Sequence, residues 1–201
     1  MAVEFKSSET KDNLMRAFAG ESQARNRYTF AAQKAQEQNQ QVISMAFLFT
    51  AEQEKEHAKK FYKFLKEDFK DEAIEITASY PVSFHEDTLL NLKAAAAGEN
   101  EEWTNMYPSF AETAKQEGLT QLAELFQNIA KIEKDHERRF LEAILHLMQK
   151  SRKTETPVKT EEKQKVTGYR CMFCGATYEQ RPDVCSVCHA IGSFESCEIL
   201  K

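Results

Sequence analysis

The chain has 201 residues, about 1.3 times a ~150-residue domain, which allows one substantial domain and something small. Hydrophobic residues make up 41% and charged residues 29%, and Gly and Pro together number ten, which excludes a loop-rich all-β fold, a collagen and a Pro-rich linker protein. The net charge of −5 argues against a phosphate-backbone binder, so no nucleic-acid partner is expected. There is no apolar run of ~18 residues and no apolar signal core in MAVEFKSSET, so no membrane partner is expected and the expected location is cytoplasmic.

Four long amphipathic stretches follow one another. The first runs from about Thr10 to Glu37, with an apolar face through Leu14, Phe18, Tyr28 and Ala32. The second runs from about Asn39 to Glu67, through Ile43, Phe47, Thr50, Phe61 and Phe64. The third follows Ser83-Phe84-His85-Glu86, which has capping-box spacing, and ends before Gly118. The fourth runs from about Thr120 to Lys150, through Leu122, Phe126, Ile129, Phe140, Ala143 and Leu147. Apolar residues recur every three to four positions without strand-type alternation, so the spacing predicts a four-helix bundle over residues 1–150. The connection at about residues 68–83 is long and holds Pro81; the other two are short.

Composition changes near Lys150. Residues 151–167, SRKTETPVKTEEKQKVT, have almost no large apolar side chains and read as a linker. Residues 168–201 hold all five cysteines, and a piece of this size does not fold around a hydrophobic core alone. Cysteines confined to one short segment of a cytosolic chain read as a metal site before they read as disulfides. The linker carries +2 and the tail −1, so the bundle segment carries −6.

The bundle halves resemble each other. Ala19-Gly20-Glu21 is followed, 33 residues after its Glu, by Glu54-x-x-His57; Ala97-Gly98-Glu99 is followed, 34 residues after its Glu, by Glu133-x-x-His136. These residues fall on the apolar seams. Glu54 and His57 lie between Thr50 and Phe61, and Glu133 and His136 between Ile129 and Phe140. Glu21 lies between Phe18 and Tyr28, and Glu99 and Glu102 between Leu92 and Met106. A single such Glu is an ordinary charged or satisfied polar residue. Carboxylates on all four seams together need counter-charge, because an ionised carboxylate buried alone costs several kcal/mol. No seam Lys supplies it, and Arg25 is the only seam Arg nearby. Metal cations fit. Two Glu-x-x-His helices in register with two further Glu form the dimetal carboxylate pattern of ferritin-like bundles, with ligands that suit iron or manganese and admit zinc. Glu102 has no counterpart in the first helix, where Ala24 stands, and breaks the symmetry at one metal.

The tail reads Cys171-Met172-Phe173-Cys174-Gly175, then Cys185-Ser186-Val187-Cys188-His189. Two such C-x-x-C pairs make a tetrahedral four-thiolate site. A structural zinc ribbon and a compact iron site both use it; Tyr169, Phe173, Tyr178 and Phe194 would pack around either. Cys197 is left over as a free thiol, and His189 is read as a bystander.

These residues carry a family resemblance. The chain resembles the rubrerythrins, in NLMRAFAGESQARNRY (13–28), GENEEWTNMYPSFAETAKQEG (98–118), the two Glu-x-x-His helices and the four-Cys spacing. The resemblance implies a mainly α fold: a ferritin-like four-helix bundle with a small C-terminal rubredoxin-like β/loop domain. It implies two non-haem Fe ions in the bundle, with Glu54 and Glu133 bridging and Glu21, Glu99 and His136 terminal. Glu102 and His57 would alternate on one iron with oxidation state, and Tyr28 and Tyr107 would bond to ligands; from the residues alone, both tyrosines could equally be core aromatics. Cys171, Cys174, Cys185 and Cys188 would hold one further Fe ion. Ser186 and His189 depart from the usual rubredoxin knuckle, which has Pro and Gly. The function so implied is reduction of hydrogen peroxide to water in oxidative-stress defence. Electrons would come through the thiolate iron from an NAD(P)H-linked electron-donor reductase or a rubredoxin. The implied assembly is a head-to-tail homodimer, the tail of one chain facing the di-iron site of the other. The alternatives are ferritin-like iron oxidation and storage, and a zinc module on a metal-stabilised bundle. The appended electron carrier argues against storage, which needs no reductant.

Overall fold

The computed structural model describes residues 3–151 and 165–200. Helix α1 (Glu9–Glu37) is capped by Ser8, whose hydroxyl accepts from the Lys11 N–H at 3.1 Å. Glu117 closes the same end from far along the chain, accepting from the backbone N–H of Glu9 at 2.8 Å and of Thr10 at 3.0 Å. A carboxylate there complements the helix dipole. After three residues α2 (Gln41–Phe69) returns alongside α1.

The third helix differs from the sequence expectation in two ways. Asp87, not Ser83, is its N-cap, and its carboxylate accepts from the Leu90 N–H at 2.8 Å. The segment that looked like a capping box is instead tied sideways: the His85 N–H and carbonyl pair with the Asn91 side-chain amide at 2.8 and 2.7 Å. The helix is also interrupted. It runs as α3 (Thr88–Glu101), a π-turn (Glu102–Met106) and α4 (Tyr107–Gln116). In the π-turn the Tyr107 N–H bonds to the Glu102 carbonyl, five residues back. Such turns insert one residue into a helix and occur frequently at functional sites. Glu137 of the last helix grips this one: its two oxygens accept from Asn100 Nδ2 at 3.0 Å and Trp103 Nε1 at 2.6 Å. Gly118, at φ 76°, ends α4, and α5 (Thr120–Ser151) completes the bundle.

α1 pairs chiefly with α2, and α3 and α4 with α5. Two apolar clusters fill the interior. One holds Leu14, Phe61, Leu65, Tyr107, Phe126 and Ile129; the other holds Tyr28, Ile43, Phe47, Leu92 and Phe140. The seam carboxylates and histidines form a polar layer with these clusters on either side. No described helix is long and apolar enough to cross a membrane.

Most of the stretch read as linker lies outside the described residues; β1 (Lys165–Cys171) begins within it. With β2 (Thr177–Tyr178) and β3 (Phe194–Leu200) it makes an antiparallel sheet of order β2-β1-β3, in which Tyr169 opposes Tyr178 and Cys171 opposes Phe194. Ala176 and Val187 of the tail are buried in the same cluster as Phe126 and Ile129 of the bundle. The tail therefore packs on the bundle's own apolar cluster, next to the polar layer.

Candidate metal centres

Each metal-binding pattern begins as a helix spacing. Glu54 and His57, one turn apart, project together from α2; Glu133 and His136 do the same from α5. Glu21 of α1 and Glu99 of α3 meet them, and all six side chains are buried, none more than 1% exposed. Their donor atoms form two groups: Glu21, Glu54, His57 and Glu133, and Glu54, Glu99, Glu133 and His136, each within 4.8 Å. Glu54 and Glu133 belong to both. Glu54 puts one oxygen 2.9 Å from His57 Nδ1 and the other 2.8 Å from His136 Nδ1. Glu133 does likewise, at 2.9 and 2.6 Å. Glu21 and Glu99 stand at the outer ends, 3.8 Å from His57 Nδ1 and 3.7 Å from His136 Nδ1.

The hydrogen bonds of this layer show that it is built for something else. Both oxygens of Glu54 and of Glu133, one each of Glu21 and Glu99, and both imidazole Nδ1 atoms are buried without a hydrogen-bond partner. Unpaired buried polar groups are costly, and so many facing one another are explained by cations at their centre. Each surrounding bond holds a donor's back. Tyr28 donates to Glu99 Oε1 at 2.5 Å, and Tyr107 donates to Glu21 Oε1. Burial, then the facing Glu99 or Glu21, raises each phenol well above its ordinary pKa, so both stay donors. The outer nitrogens differ: His57 Nε2 is 3.0 Å from the carbonyl of Cys174 in the tail, and His136 Nε2 is 3.0 Å from Gln53 Oε1.

Glu102, on the π-turn, belongs to neither group. Burial, then Glu99, raises its carboxyl well above the usual range. His57 occupies the inward position, and the residue named as its alternate waits outside. Arg25, the one seam arginine noted in the sequence, reaches out to Glu52 at 3.6 Å. The buried guanidinium near the cluster is that of Arg139, which donates to Thr50 Oγ1 at 2.7 Å and Gln53 Oε1 at 3.0 Å. Sequence reasoning missed Arg139, Gln53 and Glu137. The signal was position: Arg139 is three residues past His136, and Gln53 four before His57, each on the same helix face.

In the tail, the four Sγ atoms of Cys171, Cys174, Cys185 and Cys188 lie within 4.8 Å of one another. Cys171 to Cys188 is 3.6 Å and Cys174 to Cys185 is 3.5 Å. A tetrahedron with ~2.3 Å metal–sulfur bonds has edges of about 3.8 Å, so the thiols are already nearly placed. The two knuckles match. The Cys171 N–H bonds to Ala176 O at 2.9 Å and the Gly175 N–H to Cys171 O at 3.0 Å; the Cys185 N–H bonds to Ala190 O at 2.8 Å and the His189 N–H to Cys185 O at 3.0 Å. Gly175 has φ +83° and His189 φ 62°, so His189 fills a left-handed position that favours glycine. It is exposed and outside the thiol group, and Cys197 lies on β3 opposite Gly168.

Fold and sites define a class: a ferritin-like dimetal carboxylate bundle carrying a rubredoxin-like four-thiolate unit. The rubrerythrin family model matches residues 12–168. Rubrerythrin-1 of Clostridium acetobutylicum is 48% identical over 194 residues, covering 94% of this chain and 95% of that one. Rubrerythrin of Porphyromonas gingivalis is 44% identical, covering 97% and 93%. The solved structure of fully reduced, all-ferrous nigerythrin superposes with a TM-score of 0.68 at 26% identity, covering 98% of this chain and 89% of that one. The chain belongs to the rubrerythrin family. That membership makes it a di-iron oxidoreductase of the oxidative-stress class, and its two donor sets fit a di-iron carboxylate site and a rubredoxin-type iron.

Proposed function

We propose that the protein is a peroxidase that reduces hydrogen peroxide to two waters, drawing electrons through the four-thiolate unit from an NAD(P)H-linked reductase or a rubredoxin. The observation that carries the reading is the 3.0 Å contact between His57 Nε2 and the Cys174 carbonyl, which joins the two metal centres through one hydrogen bond. Iron held by Glu21, Glu54, His57, Glu99, Glu133 and His136 supplies two electrons at one place, which matches the two electrons and two protons that a peroxide consumes. A four-thiolate iron has no open position and suits delivery.

The chain's own residues do the rest. Glu54 and Glu133 each offer one oxygen to either metal position, so they span the pair. Tyr28 and Tyr107 fix the carboxylates of Glu99 and Glu21 and are the nearest phenolic protons to the cluster. Phe47, Phe61, Phe126 and Phe140, all buried, exclude bulk water from either side. Glu102 would be placed to stand in for His57 if the metal charge rose. Two ferrous ions would be matched by four carboxylates and a neutral imidazole, whereas two ferric ions would favour a fifth carboxylate. The working protein is a cytoplasmic homodimer.

The test uses Cys171→Ser in the full chain. Steady-state peroxide consumption with a reductase should collapse, while chemically reduced protein still consumes one peroxide per bundle site. Loss of the single turnover as well would refute the division of labour. Ferrous oxidation and storage without peroxide turnover in the wild type would point to the storage reading.

A further inference from the structure

Gln53 is buried beside the cluster, with no exposed surface. Its Oε1 faces two groups, Arg139 Nη1 at 3.0 Å and His136 Nε2 at 3.0 Å. A guanidinium only donates, so the atom facing it must be the amide oxygen. That fixes the rest. The oxygen, already turned inward by Arg139, accepts from His136 and makes Nε2 the protonated nitrogen. The lone pair of His136 is then on Nδ1, which points at Glu54 and Glu133. Arg139 is itself held, donating to Thr50 Oγ1 at 2.7 Å and lying 4.9 Å over the Phe49 ring.

The other end of the amide points elsewhere. Gln53 Nε2 is buried without a partner and abuts Gly175 in the first knuckle. A Cβ on Gly175 would sit 2.6 Å from Gln53 Nε2 and 2.8 Å from its Cδ. The residue before Gly175 is Cys174, whose carbonyl takes His57 Nε2. One short loop therefore closes over both imidazoles. It touches His57 directly and reaches His136 through Gln53.

We propose that Gln53 is a positioning residue for His136 and that the seated knuckle keeps it in place, so that seating the tail orients both histidines of the cluster. This goes beyond electron delivery: the tail also shapes the metal pocket, including the position it does not touch. The proposal rests on the reading of the Glu–His cluster as a metal site.

The experiment uses full-length protein labelled with 15N-histidine and loaded with zinc, which is diamagnetic. Long-range 1H–15N spectra report the tautomer and proton exchange of each imidazole. In the wild type, His57 and His136 should both be Nε2–H tautomers with slow exchange. Gln53→Leu should speed exchange at His136 at least tenfold and weaken zinc binding at the cluster by about 10–100-fold. Gln53→Glu keeps an acceptor and should restore slow exchange. Gly175→Ala should move the His136 signals as well as those of His57. Arg139→Met frees the amide without altering the knuckle and should speed exchange at His136 alone, which keeps the test decisive if the glycine variant does not fold. Unchanged His136 signals in Gln53→Leu or Arg139→Met overturn the positioning role, since a packing role would be met by leucine. A Gly175→Ala protein that folds and moves only His57 overturns the coupling to the tail. Zinc absent from the wild-type cluster would overturn the metal reading itself, and the proposal with it.

Discussion

Six ionisable side chains, Glu21, Glu54, His57, Glu99, Glu133 and His136, share one small volume at the centre of the bundle, with Glu102 outside both donor groups, and their proton affinities diverge. Burial raises Glu21 and Glu102 well above the usual carboxylate range and pushes Glu99 up to about 8. Burial disfavours ionised Glu54 and Glu133 too, but the imidazoles outweigh it and both are lowered. Burial alone would lower His57 and His136; the carboxylates outweigh it, raising His136 and pushing His57 up to about 10. The metal-free cluster thus holds protons more tightly than usual on Glu21, Glu99, Glu102 and both imidazoles. Divalent ions that take the places of these protons displace them, so calorimetry of zinc into the bundle, with the thiolate site already filled, should show net proton release. Glu99 has a folded pKa above its ordinary 4.5, so its contribution to metal-free stability is full below 4.5 and is lost as pH rises through about 8; that of His57 is full below 6.5 and is lost through about 10. Glu54 and Glu133 act the other way and lose theirs as pH falls below the usual carboxylate range. Metal-free protein should therefore unfold at lower temperature at pH 9 than at pH 6, and zinc should abolish most of that difference; melting curves at the two pH values check it. Tyr107→Phe removes a donor from Glu21 and should weaken zinc binding by about 10–100-fold with the fold intact, measured by chelator competition.

At the scale of the elements, the π-turn sets the register of the third helix. Glu99 and Tyr107 are eight residues apart, which on a regular helix leaves them about 80° out of line at ~100° per residue. The extra residue of the π-turn brings them back to one face. Deleting Asn105 should turn this segment into regular helix with Glu99 and Tyr107 seven residues apart, as Glu21 and Tyr28 are on α1, so helical circular dichroism and zinc binding at the cluster should both be kept; loss of zinc binding would show that the turn does more than hold register. Glu137→Ala strips Asn100 and Trp103 of their acceptor and should cost roughly 2 kcal/mol in urea unfolding. The sequence carried this turn in plain sight. Glu21 to Glu54 is 33 residues and Glu99 to Glu133 is 34, while the two hairpin connections, residues 38–40 and 117–119, are equally long. The odd residue lies in the third helix, where an apolar periodicity reading smooths it over. The seams, by contrast, carry all six cluster residues into the bundle interior, because a Glu and a His one turn apart need only helix geometry to share a face. Gln53 and Arg139 were hidden because a buried Gln or Arg looks like any surface residue until its partners from another helix are known.

At the scale of the whole molecule, Glu54 and Glu133 make the two metal positions one unit. Glu133→Ala should lose both metals together, with the helices retained, since Ala favours helix and a buried charge is removed. Metal analysis finding one tightly held ion would contradict the shared geometry. The seat for the tail is as specific as the cluster beneath it, and it can be assigned to a chain. Mixed, co-refolded Cys171→Ser and Glu133→Ala chains should regain substantial peroxidase activity if the tail of one chain serves the bundle of the other, and stay inactive if each tail serves its own. Recovery of peroxidase activity in proven heterodimers would assign the seat to the partner's tail.

The matched halves also imply a line of descent. Each half is a helical hairpin with one Glu on its first helix and Glu-x-x-His on its second, and the tyrosine of each reaches across to the other half's Glu. One hairpin cannot complete a site; two copies face to face can. An ancestor about half as long as this bundle would have worked only as a pair of identical chains, obliged to treat both metals alike. Fusion lifted that obligation. A single inserted residue could then settle in one copy alone, and with it Glu102, a carboxylate where the other copy keeps Ala24.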